Sequence, residues 1–88
     1  MNYLKFPLHY QSAGVTVEVT MQGVESDVFL IDSANLSSFE RGGQFSYQGG
    51  HYKASPVRLT IPSNGTWTAV VVPTGGTVKA AVRTIVAA

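Results

Sequence analysis

The chain has 88 residues, no cysteine and a net charge of +1, from six basic and five acidic side chains. This length predicts a single domain, residues 1–88, with one core of its own. The lack of cysteine excludes disulfides and thiolate metal sites, and the near-neutral charge provides no field that would steer the protein to nucleic acid or to a charged membrane.

Charged side chains make up only 12% of the chain, whereas typical globular domains have about 25%. A small domain with so few charges is expected to expose apolar area, which often marks a contact surface. We therefore expect a homo-oligomer or a protein partner. No apolar run approaches the roughly 18 residues that a membrane span needs, and residues 1–5 lack the form of a signal peptide, so we expect a cytoplasmic protein without membrane contact.

The first two predicted strands show alternating apolar residues. Residues 3–10 alternate around Pro7, which cannot donate to a central ladder, so this strand is expected at a sheet edge. Residues 15–22 alternate valine and methionine with polar residues, which predicts a half-buried strand.

A short apolar run between two acids, residues 27–32, predicts a central strand that is covered on both faces. Residues 33–39 can cover its outer face as a single helical turn. Asp32 or Ser33 would be the N-cap of that turn, and Gly42-Gly43 would end it.

Two hairpins are predicted next. Residues 44–47 and 51–54 flank Gln48-Gly49-Gly50, which suggests a small polar hairpin with a glycine turn. Residues 55–73 contain two alternating runs on either side of Ser63-Asn64-Gly65, which predicts a longer hairpin with one apolar face on each arm.

Trp67 lies on the apolar face of the second arm and is expected in the core. Residues 77–86 alternate again and predict the last strand. About six to eight short strands with turn residues between them, and at most one short helical turn, are typical of an all-β protein. We predict a single-domain antiparallel β-sandwich or jelly roll.

Several motifs form a recognisable set. They are Asp32-Ser33-x-Asn35-Leu36, Tyr47-x-Gly49-Gly50, Ser55-Pro56-Val57-x-Leu59-x-Ile61-Pro62-x-x-Gly65-x-Trp67, Val15-x-Val17-x-Val19 and Val78-x-Ala80-x-Val82. Together they resemble a known family, the bacterial domain of unknown function 1883. The resemblance covers nearly the whole chain. It implies a small all-β domain, found alone or attached to signalling domains of the TIR type, and it implies no activity.

The segment 47–52 is the candidate binding site. Its candidate residues are Tyr47, Gly49, Gly50, His51 and Tyr52. Two tyrosines and a histidine on a glycine-hinged loop would offer flat apolar area with polar tips, as sugar, peptide and protein contact sites do. The alternative is that the two tyrosines are packing partners across the hairpin and that the glycines only make the turn.

No catalytic or metal-binding group stands out. A hydrolase would have to use Ser33, His51 and Asp32, but the serine and the aspartate are adjacent and are explained by the helix cap. A metal site would need His9, His51, Asp27 and Asp32, which lack the close spacing of metal ligands. We therefore expect no metal and no cofactor.

The sequence thus favours a non-enzymatic binding or oligomerisation module that recognises a ligand or a partner in bacteria. A carbohydrate-binding module using Tyr47, His51 and Tyr52 is one alternative, and the hydrolase is another. The outward residues Arg58, Lys79 and Arg83 could form a basic patch. Without interleaved aromatic residues, three charges are more typical of a solvated face than of nucleic-acid binding.

Overall fold

The computed structural model describes residues 2–86, which form two antiparallel sheets with one helix. The elements in chain order are β1 (Leu4–Gln11), β2 (Thr16–Gly23), β3 (Ser26–Asp32), α1 (Ser33–Glu40), β4 (Gln48–Tyr52), β5 (Val57–Thr60), β6 (Gly65–Pro73) and β7 (Val78–Ile85). Sheet A has the strand order β1-β6-β3-β4, and sheet B has the order β5-β2-β7. The predicted all-β sandwich is confirmed.

The main core lies between the two sheets. Its buried members are Val15, Val17, Val19, Val28, Leu30, Val57, Leu59, Ile61, Trp67, Ala69 and Val71. Trp67 is only 6% exposed, and its indole Nε1 donates a hydrogen bond to the Ser63 carbonyl at 2.9 Å. The core position predicted for Trp67 is therefore confirmed, and truncating it to alanine would cost about 3–5 kcal/mol of stability.

Strand β3 is the central strand that the sequence predicted, with β6 and β4 on its two sides. Its inward residues join the main core, whereas Phe29 and Ile31 face outward and are also buried, together with Phe39 of the helix. Asp32 caps the helix by accepting a hydrogen bond from the Asn35 amide at 2.8 Å. The helix has eight residues rather than a single turn, and Gly42 follows it with a φ of 78°.

Strand β1 lies at the edge of sheet A, as its proline predicts, and pairs with β6. The register shifts between Pro7 and His9, and His9 has a φ of 61°. This bulge interrupts the expected alternation, so Tyr10 is 64% exposed and does not share the inward face of Leu8.

The predicted hairpin over residues 55–73 is wrong. Strand β5 pairs with β2 in sheet B, while β6 pairs with β1 and β3 in sheet A, so the turn carries the chain from one sheet to the other. The side chain of Asn64 accepts a hydrogen bond from the Ala13 amide at 2.7 Å, which holds the crossing against the β1–β2 connection. Each arm has one apolar face in either arrangement, so the alternation could not distinguish them.

The predicted hairpin over residues 44–54 is also wrong. Residues 44–47 are not a strand, and the two glycines lie inside β4, which pairs with β3 along its whole length. Gly49 has a φ of 154°, and a Cβ atom there would lie 2.6 Å from the Phe29 Cα and closer still to the Val28 carbonyl oxygen. Glycine is thus required for close approach of the backbone rather than for a turn.

The only helix in residues 2–86 is α1, and no helix in this range is long and apolar enough to cross a membrane.

Gly49→Ala should destabilise the fold by about 2–4 kcal/mol, because the new methyl group would collide with the backbone of β3 at an unfavourable φ. Gly50→Ala is a matched control on the same strand, since a Cβ at Gly50 would meet no atom within 4 Å. Its free energy of unfolding should stay within about 0.5–1 kcal/mol of the wild-type value. Urea denaturation of the two variants measures both; equal losses would argue against the close approach.

Candidate functional site

The predicted site residues lie on β4 and on the residue before it, not on a hinged loop. Tyr47 is 54% exposed and lies on the outer face of sheet A. His51 is opposite Asp27 in the register, and Tyr52 is opposite Ser26. Because successive residues of a strand point to opposite faces, Tyr52 faces inward and packs against the main core. The expectation that one loop presents both tyrosines is therefore wrong.

An open cavity of about 520 Å³ lies on the outer face of sheet A, beside the end of α1. We call it the aromatic groove. It is lined by Asp27, Phe29, Phe39, Gly42, Gly43, Phe45, Tyr47, Gly50, His51 and Val72. Three of the predicted site residues, Tyr47, Gly50 and His51, thus line one cavity.

The aromatic walls of the groove form a contiguous cluster of rings. The ring of Tyr47 is 5.2 Å from that of Phe29 and 5.6 Å from that of Phe45, centroid to centroid. Phe39 meets Phe45 edge to face at 4.9 Å. Phe29 and Phe39 are buried, whereas Phe45 is half-buried, so the first two form a fixed base and the others offer accessible ring surface.

Sequence reasoning missed the three phenylalanines as site residues. Phe29 was expected only as part of a buried strand, and Phe39 only as part of the covering helix. One sequence signal could have found them: Phe29 alternates with the inward residues of a strand that is predicted to be buried on both faces, so its side chain must point to the outer face. Aromatic residues that cover such a strand must gather on its outer side.

One end of the groove carries a charged cluster around His51. Its Nδ1 is 2.8 Å from Asp27 Oδ1, and its Nε2 is 2.9 Å from Glu25 Oε1. Both ring nitrogens can donate at once only when the imidazole is protonated. The hydrogen bond to Asp27 is the largest cause that raises the pKa of His51 above its usual 6.5, and the bond to Glu25 is the second.

The family model described as "Domain of unknown function (DUF1883)" matches residues 1–88, the whole chain. The chain belongs to this family. Comparison with curated proteins and with solved structures gave no significant match. The bacterial origin and the attachment to TIR-type domains that the resemblance implies stay predictions.

The three residues of the alternative hydrolase are not brought together in this DUF1883 domain. Asp32 caps α1, and both ring nitrogens of His51 are bonded to other carboxylates. Asp32 is also five residues along β3 from Asp27, the residue opposite His51, which is a distance of about 17 Å. Within residues 2–86, no group of three His, Asp or Glu side chains is arranged to hold a metal ion.

The predicted basic patch lies on the outer face of sheet B, where Glu18 stands between two arginines. Arg58 and Arg83 are both opposite Glu18 in the register. The Arg83 Nε is 2.7 Å from Glu18 Oε1, and the Arg58 Nη2 is 3.0 Å from Glu18 Oε2. These contacts lower the pKa of Glu18, chiefly through the hydrogen bond from Arg83. The carboxylate thus neutralises part of the patch.

Removing either carboxylate beside His51 should lower the pKa of the imidazole. Asp27→Asn and Glu25→Gln should each lower it, because the hydrogen bonds to Asp27 and to Glu25, together with the charges of both carboxylates, raise the value. In the wild type the protonated ring is favoured by folding, so this contribution to stability is present below pH 6.5 and is lost as the pH rises through the raised pKa. NMR titration of the imidazole ring protons measures the pKa of His51 in the wild type and in the two variants. An unchanged pKa in Asp27→Asn would refute the assigned contact between His51 and Asp27.

Proposed function

We propose that this DUF1883 domain is a non-enzymatic recognition module that binds a partner polypeptide in the aromatic groove. The observation that carries the proposal is the open cavity of about 520 Å³ with four aromatic walls, a size in the range of specific ligand pockets. Solvent-accessible aromatic rings at a cavity mouth provide large contact area at low entropy cost, which is the make-up of interface anchors.

The base of the groove is rigid enough to act as a preformed pocket. Phe29 lies on the central strand of sheet A, and Phe39 lies on a helix that is capped by Asp32. Phe29 is 5% exposed and Phe39 is 8% exposed. A side chain that binds beside Phe45 and Tyr47 would therefore meet fixed rings at the base of the groove, so little ordering would oppose binding.

The charges at the His51 end favour a basic partner segment. Glu25 and Asp27 are two carboxylates around one imidazole, so the cluster is net negative whether or not His51 is protonated. An arginine beside an apolar anchor could stack on the aromatic rings and bind a carboxylate. We therefore propose a partner segment with an apolar side chain next to an arginine or a lysine.

The sugar alternative has weaker support. Flat sugar rings stack best on coplanar, exposed aromatic faces, whereas Phe45 and Tyr47 are inclined at 43° and Tyr52 lies on the opposite face of the sheet. A polypeptide side chain adapts more readily to inclined walls.

Tyr47→Ala should weaken binding of partner peptides about 5- to 30-fold, since exposed anchor rings contribute on the order of 1–2 kcal/mol. Peptides would be selected from a random displayed library on the wild-type protein and their affinities measured by fluorescence anisotropy. Tyr10→Ala is the matched control, because Tyr10 is similarly exposed but lies on β1. Binding that survives in Tyr47→Ala, or that is lost equally in both variants, would place recognition elsewhere.

Two further measurements separate the other occupants of the groove. Binding on a glycan array that is lost in Tyr47→Ala would support the carbohydrate-binding alternative instead. Light scattering that shows a wild-type oligomer, and a monomer for Tyr47→Ala, would identify the partner as a second copy of the chain.

A further inference from the structure

Sheet B has one strand fewer than sheet A, and the position without a strand is at one side of the sandwich. Across the core β5 packs against β3 and β4, while β7 packs against β6. Strand β1 therefore lies beyond the edge of sheet B. Its inward residues Leu4, Phe6 and Leu8 are only half-buried, whereas the inward residues of β3 are fully buried.

The edge of sheet B on this side is β7, which is the longest edge strand of the two sheets without a proline or a bulge. Its eight residues pair with β2 in an unbroken register, without proline or bulge. By contrast, β1 carries Pro7 and a bulge, and β5 has only four residues, between Pro56 and Pro62. A long regular edge strand presents a row of backbone groups on which another strand can pair.

The inward side of β7 is also incompletely covered. Val78, Ala80 and Val82 are half-buried. An open cavity of about 420 Å³ is lined by Leu4 and Val78, at one end of the gap between β1 and β7. A strand added beside β7 would run about 4.8 Å from it and would lie directly across from β1. Its inward side chains would then cover Leu4, Phe6 and Leu8.

A second copy of this chain fits poorly beside the β7 edge. In an antiparallel dimer joined through two β7 strands, each β1 would lie across from β7 of the other copy, where β6 of that copy already lies, because each β1 is one strand beyond its own β7. A single extended segment has no such conflict. A strand supplied by a different polypeptide therefore fits this edge better than a second copy does.

The outward side chains of β7 determine which charge the added strand should carry. Lys79 and Arg83 point to the outer face of sheet B, with Ala81 between them. Opposite charges directly across two strands stabilise the pair, and like charges destabilise it. We propose that the β7 edge binds an extended segment of a partner protein, in which apolar residues facing β1 alternate with acidic residues facing Lys79 and Arg83, as an eighth strand of the sandwich.

The probe is a synthetic ten-residue peptide that alternates valine with glutamate, compared with one in which lysine replaces glutamate. NMR titration of the full chain should show amide shifts along β7 and β1 with the acidic peptide and at least about fivefold weaker binding of the basic peptide. N-methylation of alternate peptide residues, on the edge that faces β7, should abolish binding, because strand addition needs those donors.

Lys79→Glu should remove the preference for the acidic peptide, because it places a negative charge beside the positive Arg83. Lys53→Glu should leave the preference unchanged, because Lys53 follows β4 and lies outside β7. Tyr47→Ala should also leave it unchanged, so failure here is distinguishable from failure of the groove. Equal binding of the acidic and basic peptides to the wild type, shifts confined to the groove, or full binding of the N-methylated peptide would overturn the proposal.

Discussion

Burial of both faces of β3 is the constraint on which the architecture depends. Val28 and Leu30 fill the core between the sheets, while Phe29 and Ile31 point to the other side and are also buried. A β-sandwich buries only one face of each sheet by itself, so a third layer must cover the outer face of sheet A. The helix and the segment before β4 supply that layer, and they bring Phe39, Phe45 and Tyr47 onto Phe29.

The few acidic residues are all engaged in contacts that link different elements. Glu18 joins β5 and β7 across β2, and Glu40 accepts hydrogen bonds from Tyr3 and Lys5, which link the helix to β1. Glu25 and Asp27 hold His51 on β4, and Asp32 caps the helix. The exposed pairs of Glu40 and His51 contribute little to stability and mainly fix orientation. Glu18 is buried, so its two arginine partners are needed to compensate its charge. Much of the remaining surface is uncharged, as the 12% charged fraction requires.

The sequence predicted the elements better than their partners. Alternation located most of the strands, and the four apolar residues from Val28 to Ile31 correctly indicated a strand covered on both faces. The prediction from alternation failed where the same turn residues are compatible with two different arrangements of the chain. Asn64-Gly65 can close a hairpin or carry the chain between sheets, and long-range contacts, such as the hydrogen bonds from Ala13 to Asn64 and from Gly14 to Ile61, favour the crossing. Gly49 resembled a turn residue but serves close packing against Phe29, which no local pattern reveals.

Both candidate surfaces arise where one layer of the structure is narrower than the layer it covers. The eight-residue helix covers only part of the outer face of sheet A, and the uncovered part is the aromatic groove. The three-stranded sheet B likewise leaves the inward face of β1 partly open. In each place, a row of apolar side chains extends past the edge of the layer that covers it, so the last side chains of the row stay partly exposed. Such residues cannot become polar without weakening the core, and exposed apolar area of this kind often marks a contact surface, which is the common basis of both proposals.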